Sequence, residues 1–205
     1  MYLLDGRFIV FLGMIGYIVI RSIFVGLQYR KWNLTFWFKE GVRILFTLYI
    51  LLVISVTFFP LALWIDYSWE RIKFGINLIP FVSVIHDIGR IGHAYDGDSA
   101  FMIRLIIRNV GGNILLFVPL GILIPILSKK YKDFKRMVLL GLGMSVCIEF
   151  IQFLELFAGG FGRTVDIDDV IFNTLGAVLG FLIYKILYKL IIKWKVKPFQ
   201  VNYEK

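Results

Sequence analysis

The stretch ILFTLYILLVISVTFFPLALWI, Ile44 to Ile65, contains no charged residue. About 20 apolar residues, rising about 1.5 Å each, cross the roughly 30 Å hydrocarbon core of a bilayer, so this run reads as a membrane-spanning helix. Four further apolar runs are expected to do the same: Phe8–Leu27, Leu105–Leu127, Met137–Phe157 and Val170–Ile192. The whole chain agrees with them. Its 205 residues are 59% hydrophobic with a mean hydropathy of +0.80, whereas soluble domains are about 45–50% apolar. The fold expected is all-α, a polytopic membrane protein with a bundle of about five transmembrane helices. An outer loop segment, Asp66 to Arg104, joins spans two and three within a single integral-membrane domain over 1–205.

A net charge of +9 in a soluble protein would suggest nucleic acid. Here the basic residues cluster at the ends of apolar runs, as the positive-inside bias requires, and no RNA-binding motif accompanies them. Nucleic acid is therefore not an expected partner. The loop Lys129–Arg136 holds five basic residues against Asp133 alone. The tail from Lys193 and the loop Arg30–Arg43 are basic as well, while the long loop carries five acids against four bases. Alternation then places the N-terminus outside and the C-terminus in the cytoplasm. Trp32, Trp37, Trp64, Trp69 and Trp194 all fall at span boundaries, as an interfacial aromatic belt does. The first 20 residues lack a basic segment before their apolar stretch and a small-residue cleavage site after it, so they are expected to stay as a helix and not act as a signal peptide. The single cysteine, Cys147, reads as an inert core residue.

Polar residues inside the spans gather toward one face of the membrane. At about 1.5 Å per residue, Asn109 lies roughly 6 Å and Asn113 roughly 12 Å below the outer surface, while Gln152 lies about 8 Å and Glu149 about 12 Å from it. Treating the third and fourth spans as antiparallel neighbours levels Asn109 with Gln152 and Asn113 with Glu149. Asn173 sits at similar shallow depth in the fifth span. Membrane helices use such amides for packing alone, but an ionisable group such as Glu149 is costly against lipid and points to a site.

Above this level lies GRTVDIDDVIFNTLG, Gly162 to Gly176, with Asp166, Asp168 and Asp169. Asp168 and Asp169 stand where an N-cap and first helical turn would be, where a carboxylate accepts orphan N–H groups and meets the positive helix end. One aspartate satisfies that need. The D-x-D-D pattern beside Arg163 could instead hold a divalent cation through oxygen ligands or place a general base near a phosphate. Candidate catalytic residues are thus Glu149, Asp166, Asp168 and Asp169. Candidate substrate-binding residues are Asn77, Asn109, Asn113, Gln152, Arg163 and Asn173. A divalent cation is the one cofactor considered.

Smaller signals complete the reading. GAVLG, Gly176 to Gly180, has the small-xxx-small spacing that allows close helix approach. Gly111–Gly112 and Pro119 are expected to loosen the third span. Arg21 either snorkels or pairs inside the bundle. His86 and His93 read as ordinary loop histidines. NLIPF, Asn77 to Phe81, is expected to dip back toward the bilayer, where Asn77 can join the polar cluster.

Taken in order, NLIPF, NVGGNILLFVPLGILIP from Asn109, the EFIQ of the fourth span and GRTVDIDDVIFNTLGAVLG resemble the successive blocks of the VanZ-like family, over about Asn77 to Leu182. The resemblance implies a multipass protein of the bacterial plasma membrane connected with glycopeptide resistance of the teicoplanin type. It supplies no catalytic residue to carry over. Three functions compete. An enzyme would act on a lipid or lipid-linked cell-wall precursor from the outer leaflet, with Glu149 or Asp169 as base or nucleophile, Arg163 holding an anionic head group and the asparagines orienting it. A non-catalytic protein would hold such a lipid chemically unchanged, or alter the envelope so that lipoglycopeptides dock poorly. A transporter or flippase usually shows paired repeats and broken helices at mid-membrane; five spans with no internal repeat, and a polar cluster on one side alone, argue against it unless the protein dimerises.

Overall fold

The computed structural model describes residues 3–27, 33–62, 69–158 and 164–194. Its elements run β1 (Leu3–Leu4), α1 (Gly6–Leu27), α2 (Leu34–Phe58), β2 (Leu61–Ala62), α3 (Trp69–Phe74), β3 (Ile76–Asn77), α4 (Val82–Gly89), α5 (Ser99–Leu127), α6 (Phe134–Phe157), β4 (Val165–Asp166) and α7 (Ile167–Lys193). Among the described residues five helices, α1, α2, α5, α6 and α7, are long and apolar enough to cross a membrane. The expected all-α polytopic bundle is the fold.

Polar caps set where the spans begin. Asn33 accepts from the Phe36 N–H at 2.7 Å, Asp98 from Phe101 at 2.9 Å, Asp133 from Arg136 at 3.0 Å and Asp166 from Asp168 at 2.9 Å. Each side chain satisfies one of the orphan N–H groups at a helix start, a contribution of about 1 kcal/mol.

These caps also correct the expected boundaries. The second span is Leu34–Phe58, ten residues upstream of where hydropathy alone put its start. Asn33 starts it, and Pro60 ends it by forcing Phe59 into extended backbone (φ −120°, ψ 151°). Lys39, Glu40 and Arg43 therefore lie within a helix and not in a loop. Arg21 pairs inside the bundle with Glu40, which Arg43 also reaches, so the Glu40 carboxylate compensates one of the two guanidinium charges. The third span begins at Ser99, earlier than Leu105, because Asp98 caps it, and α5 runs continuously through Gly111, Gly112, Pro119 and Pro125. Cys147 is exposed on the outer face of α6 and does not belong to the core.

The helix order in space differs from the order in sequence. α7 packs along α5 and against α6, whereas α5 and α6 barely meet. Small residues make this possible. A Cβ at Gly176 or Gly180 would overlap the main-chain oxygens of Ile114 and Val118, and one at Gly121 would overlap that of Ala177. The GAVLG stretch is thus a backbone-to-backbone crossing, with Phe117, Leu120, Ala177 and Phe181 fully buried around it. α2 closes the core with Tyr49 and Val53, and α1 lies outermost against α2.

Candidate functional site

The N-terminus of α7 is the centre of the polar cluster, and β4 leads into it. β4 runs parallel to β3, pairing Ile76 with Val165 and Asn77 with Asp166, and the Val165 N–H donates to the Gly75 carbonyl at 2.7 Å. Two extended pairs of residues cannot form an independent sheet, so the pairing serves to bring the segment between spans two and three onto the start of α7. The NLIPF segment does turn back onto the cluster, and Asn77 joins it.

Asp166 organises the junction. Its Oδ1 caps the Asp168 N–H at 2.9 Å and accepts from Asn77 Nδ2 at 3.0 Å, while its Oδ2 accepts from Ser83 Oγ at 2.6 Å. The Asp166 N–H in turn donates to Glu149 Oε2 on α6 at 3.0 Å. The helix cap is therefore Asp166, and the expectation that Asp168 or Asp169 fills that role is corrected. The extended backbone of Asp166 (φ −131°, ψ 124°) is the geometry an N-cap adopts.

The other two aspartates face different partners. Asp168 is 2% exposed and its Oδ1 accepts from the Phe81 N–H at 2.5 Å. Phe81 has φ 64°, in the left-handed region, and no side chain caps α4 from this position. Such a conformation costs a non-glycine residue about 1–2 kcal/mol, and the carboxylate of Asp168 holds it. Phe81 also meets Phe172 edge-on, at 6.4 Å between ring centroids. Asp169 accepts from Asn113 Nδ2 on α5. The level pairing of Asn113 with Glu149 is thereby corrected: α7 lies between α5 and α6, so Asn113 meets an α7 carboxylate instead.

Further polar groups extend from this centre. Buried Asn173 donates from Nδ2 to Ser145 Oγ at 2.9 Å, and Gln152 donates from Nε2 to the Thr57 carbonyl of α2 at 3.2 Å. Asn109 is exposed on α5 and does not reach Gln152, for the same reason of helix order. Arg163 lies outside the described residues, as do Trp32, Trp64 and the C-terminal tail. Sequence reading missed Ser83, Ser145 and Thr57. Ser145 had a usable signal, since it precedes Glu149 by one helical turn and shares its face.

What the arrangement can do follows from its atoms. Glu149, Asp166, Asp168 and Asp169 bring four carboxylates together from two helices and one cap. Among the described residues no lysine or arginine pairs with any of them. Backbone N–H groups, two amides and the positive end of α7 provide the compensation instead. Asp168 Oδ2, Asn173 Oδ1 and Gln152 Oε1 are buried and have no hydrogen-bond partner among the described residues. Unmatched buried acceptors are expensive unless a donor reaches them. The carboxylates diverge toward separate partners, and among the described residues no three His, Cys, Asp or Glu side chains converge in a form able to hold a metal ion.

The comparisons with known proteins agree with the blocks read in the sequence. The VanZ/LLP1 family model matches residues 46–188, which includes every element of the cluster. Neither the curated proteins nor the solved structures contain a match to the chain.

Proposed function

The chain belongs to the VanZ/LLP1 family, and from that membership together with the carboxylate cluster we propose a protein of the bacterial plasma membrane that binds or acts on a lipid or lipid-linked cell-wall precursor. In this reading it contributes to resistance against glycopeptides of the teicoplanin type. The observation that carries the proposal is three buried acceptors without donors among the described residues: Asp168 Oδ2 at the start of α7, Asn173 Oδ1 further along α7 and Gln152 Oε1 on α6. A site rich in acceptors suits a head group rich in donors, such as sugar hydroxyls or an ammonium. In an enzymatic cycle Glu149 or Asp169 would take a proton from such a group.

The cluster lies at the end of the bundle opposite the basic turn Lys129–Lys132 and Lys135. With that turn in the cytoplasm, the cluster faces outward, where precursor head groups are used. Cysteine labelling tests this orientation. In a Cys147→Ser background, Asp96→Cys should react with a membrane-impermeant maleimide on intact cells, and Lys132→Cys should react only after lysis. The reverse pattern overturns the orientation.

The function is tested by teicoplanin susceptibility and lipid profiling in cells carrying wild type, Glu149→Ala, Glu149→Gln or Asp169→Ala. Loss of a buried carboxylate that receives ligand hydrogen bonds should weaken binding roughly tenfold or more, so both alanine variants should lose the tolerance that wild type confers. Glu149→Gln separates the two modes. It keeps an acceptor for binding but removes a base, so lost tolerance with retained ligand marks catalysis. Full tolerance in both alanine variants, at normal membrane levels, overturns the proposal.

A further inference from the structure

Leu78, Ile79, Phe81, Val82, Ile85 and Ile88, in the segment between spans two and three, are all exposed, between 44% and 68%. Val82, Ile85 and Ile88 recur every third residue along α4 and form one outward face. Ser83 turns to the other side and donates to Asp166. A contiguous apolar face of this kind marks a contact surface, and its depth in the bundle decides what it contacts.

α5 gives that depth. Ser128 and Lys129 follow its last residue, Leu127, and Arg108 is the first charged residue met going back along the helix. The rise from Leu127 to Arg108 is about 28 Å, close to the roughly 30 Å of a hydrocarbon core. Exposed Arg108 therefore marks the boundary on the cluster's side. Asn113 donates to Asp169, and it lies about 8 Å below Arg108 along the helix. α7 thus begins beneath the boundary, while α6 continues about 12 Å past Glu149 to Phe157. Asp168 and Asp166, at that low start, hold the Phe81 N–H and the Asn77 and Ser83 side chains. The main chain of Phe81 accordingly lies roughly 6 Å inside the hydrocarbon.

Non-helical main chain is tolerated at such depth where its N–H groups find acceptors within the protein. Ile76 and Asn77 pair with β4. The Ile79 N–H donates to Asn77 Oδ1 at 3.2 Å and the Phe81 N–H to Asp168 Oδ1 at 2.5 Å. The Val82 N–H donates to the Ile79 carbonyl at 3.3 Å, and Pro80 has no N–H to place. Two side-chain acceptors supply what water supplies to an ordinary outer loop.

We propose that residues 76–88 form a re-entrant element embedded in the leaflet on the cluster's side, with lipid acyl chains covering the face from Leu78 to Ile88. The dip expected of NLIPF then extends through α4. The occupant is hydrocarbon because the Phe81 main chain lies at a depth between Ile107 and Leu115, which are 65% and 70% exposed on the surface of α5. This placement does not depend on what the carboxylates bind.

The test attaches spin labels one at a time to Ile79→Cys, Val82→Cys and Ile85→Cys in the full chain carrying Cys147→Ser. The protein is held at low density in vesicles of equal phosphatidylcholine and phosphatidylglycerol. Collisions with oxygen, which concentrates in hydrocarbon, are compared with collisions with a water-soluble nickel chelate. Each label should meet oxygen severalfold more than the chelate, as a label at Leu115→Cys does, and Asp96→Cys should show the reverse. Chelate dominance at any variant with wild-type Tm puts the face in water and overturns the proposal. Shielding from both reagents overturns it as well, because a protein surface or a second copy then covers the face. Wild type supplies a reading without substitutions. Hydroxyl radicals generated in the water should oxidise Tyr95, which is 56% exposed, and spare Phe81, which is 47% exposed. Equal oxidation of the two overturns the embedding.

Discussion

Leucine at Gly176 should prevent α5 and α7 from packing and is expected to be strongly destabilising. The Cβ position already overlaps the Ile114 carbonyl, with Ile114 C at 2.9 Å and Cα at 3.1 Å. Backbone cannot swing aside as a side chain can, so the two helices must separate or shift. Overpacking costs about 1–3 kcal/mol in ordinary cores and more where the obstacle is main chain. Separation would also expose Phe117, Ala177 and Phe181, which are fully buried at this crossing. For a chain of this size a loss of about 3 kcal/mol lowers Tm by roughly 10 °C. Gly143→Leu is the matched control, because Gly143 lies on an exposed face of α6 with open space around its Cβ position. Thermal unfolding in detergent should show a large drop for Gly176→Leu and little change for Gly143→Leu. Similar stability in the two variants would refute the close crossing.

Alanine at Asp166 is expected to release the segment that covers the cluster. One side chain there caps α7 and holds both Asn77 and Ser83. The cap is worth about 1 kcal/mol and each side-chain bond about as much again. The total, about 3 kcal/mol, falls on local opening of residues 76–90 more than on global stability. Hydrogen exchange there should accelerate by roughly a hundredfold, and trypsin should cut more readily at exposed Arg90. Asp169→Ala removes the bond to Asn113 on α5 and leaves the segment anchored, so it should not show this acceleration. If Asp166→Ala exchanges like wild type over 76–90, Asp166 is not the anchor. If Asp169→Ala opens the segment equally, the cluster acts as a single unit.

The two substitutions also show what could be read from sequence. GAVLG was legible as a close helix approach because small residues at i and i+4 share a face regardless of partner. Its partner was not legible. Pairing Asn113 with Glu149 and Asn109 with Gln152 by depth assumed that consecutive spans are neighbours. α7 lies along α5 instead, which gives Asn113 to Asp169 and leaves Asn109 exposed. The cap was misplaced by two residues because three aspartates in D-x-D-D are equally good cap residues locally. Only the pairing of Ile76–Asn77 with Val165–Asp166 makes Asp166 extended and leaves Asp168 helical. Ser83 had no local signal at all, since its role comes from contact with a residue 83 positions away.

Sequence alone determined the fold class, the number of spans and the family, because hydrocarbon thickness imposes a length and an apolar content that each helix must carry within itself. It also marked the two ends of the bundle, one polar and one basic. Tertiary structure decided the rest: which helices touch, which aspartate caps, and that Glu40 pairs with both Arg21 and Arg43 between α1 and α2. Those outcomes depend on groups distant in the chain meeting at short range, where hydrogen bonding and charge pairing act, and no local pattern of residues encodes that encounter.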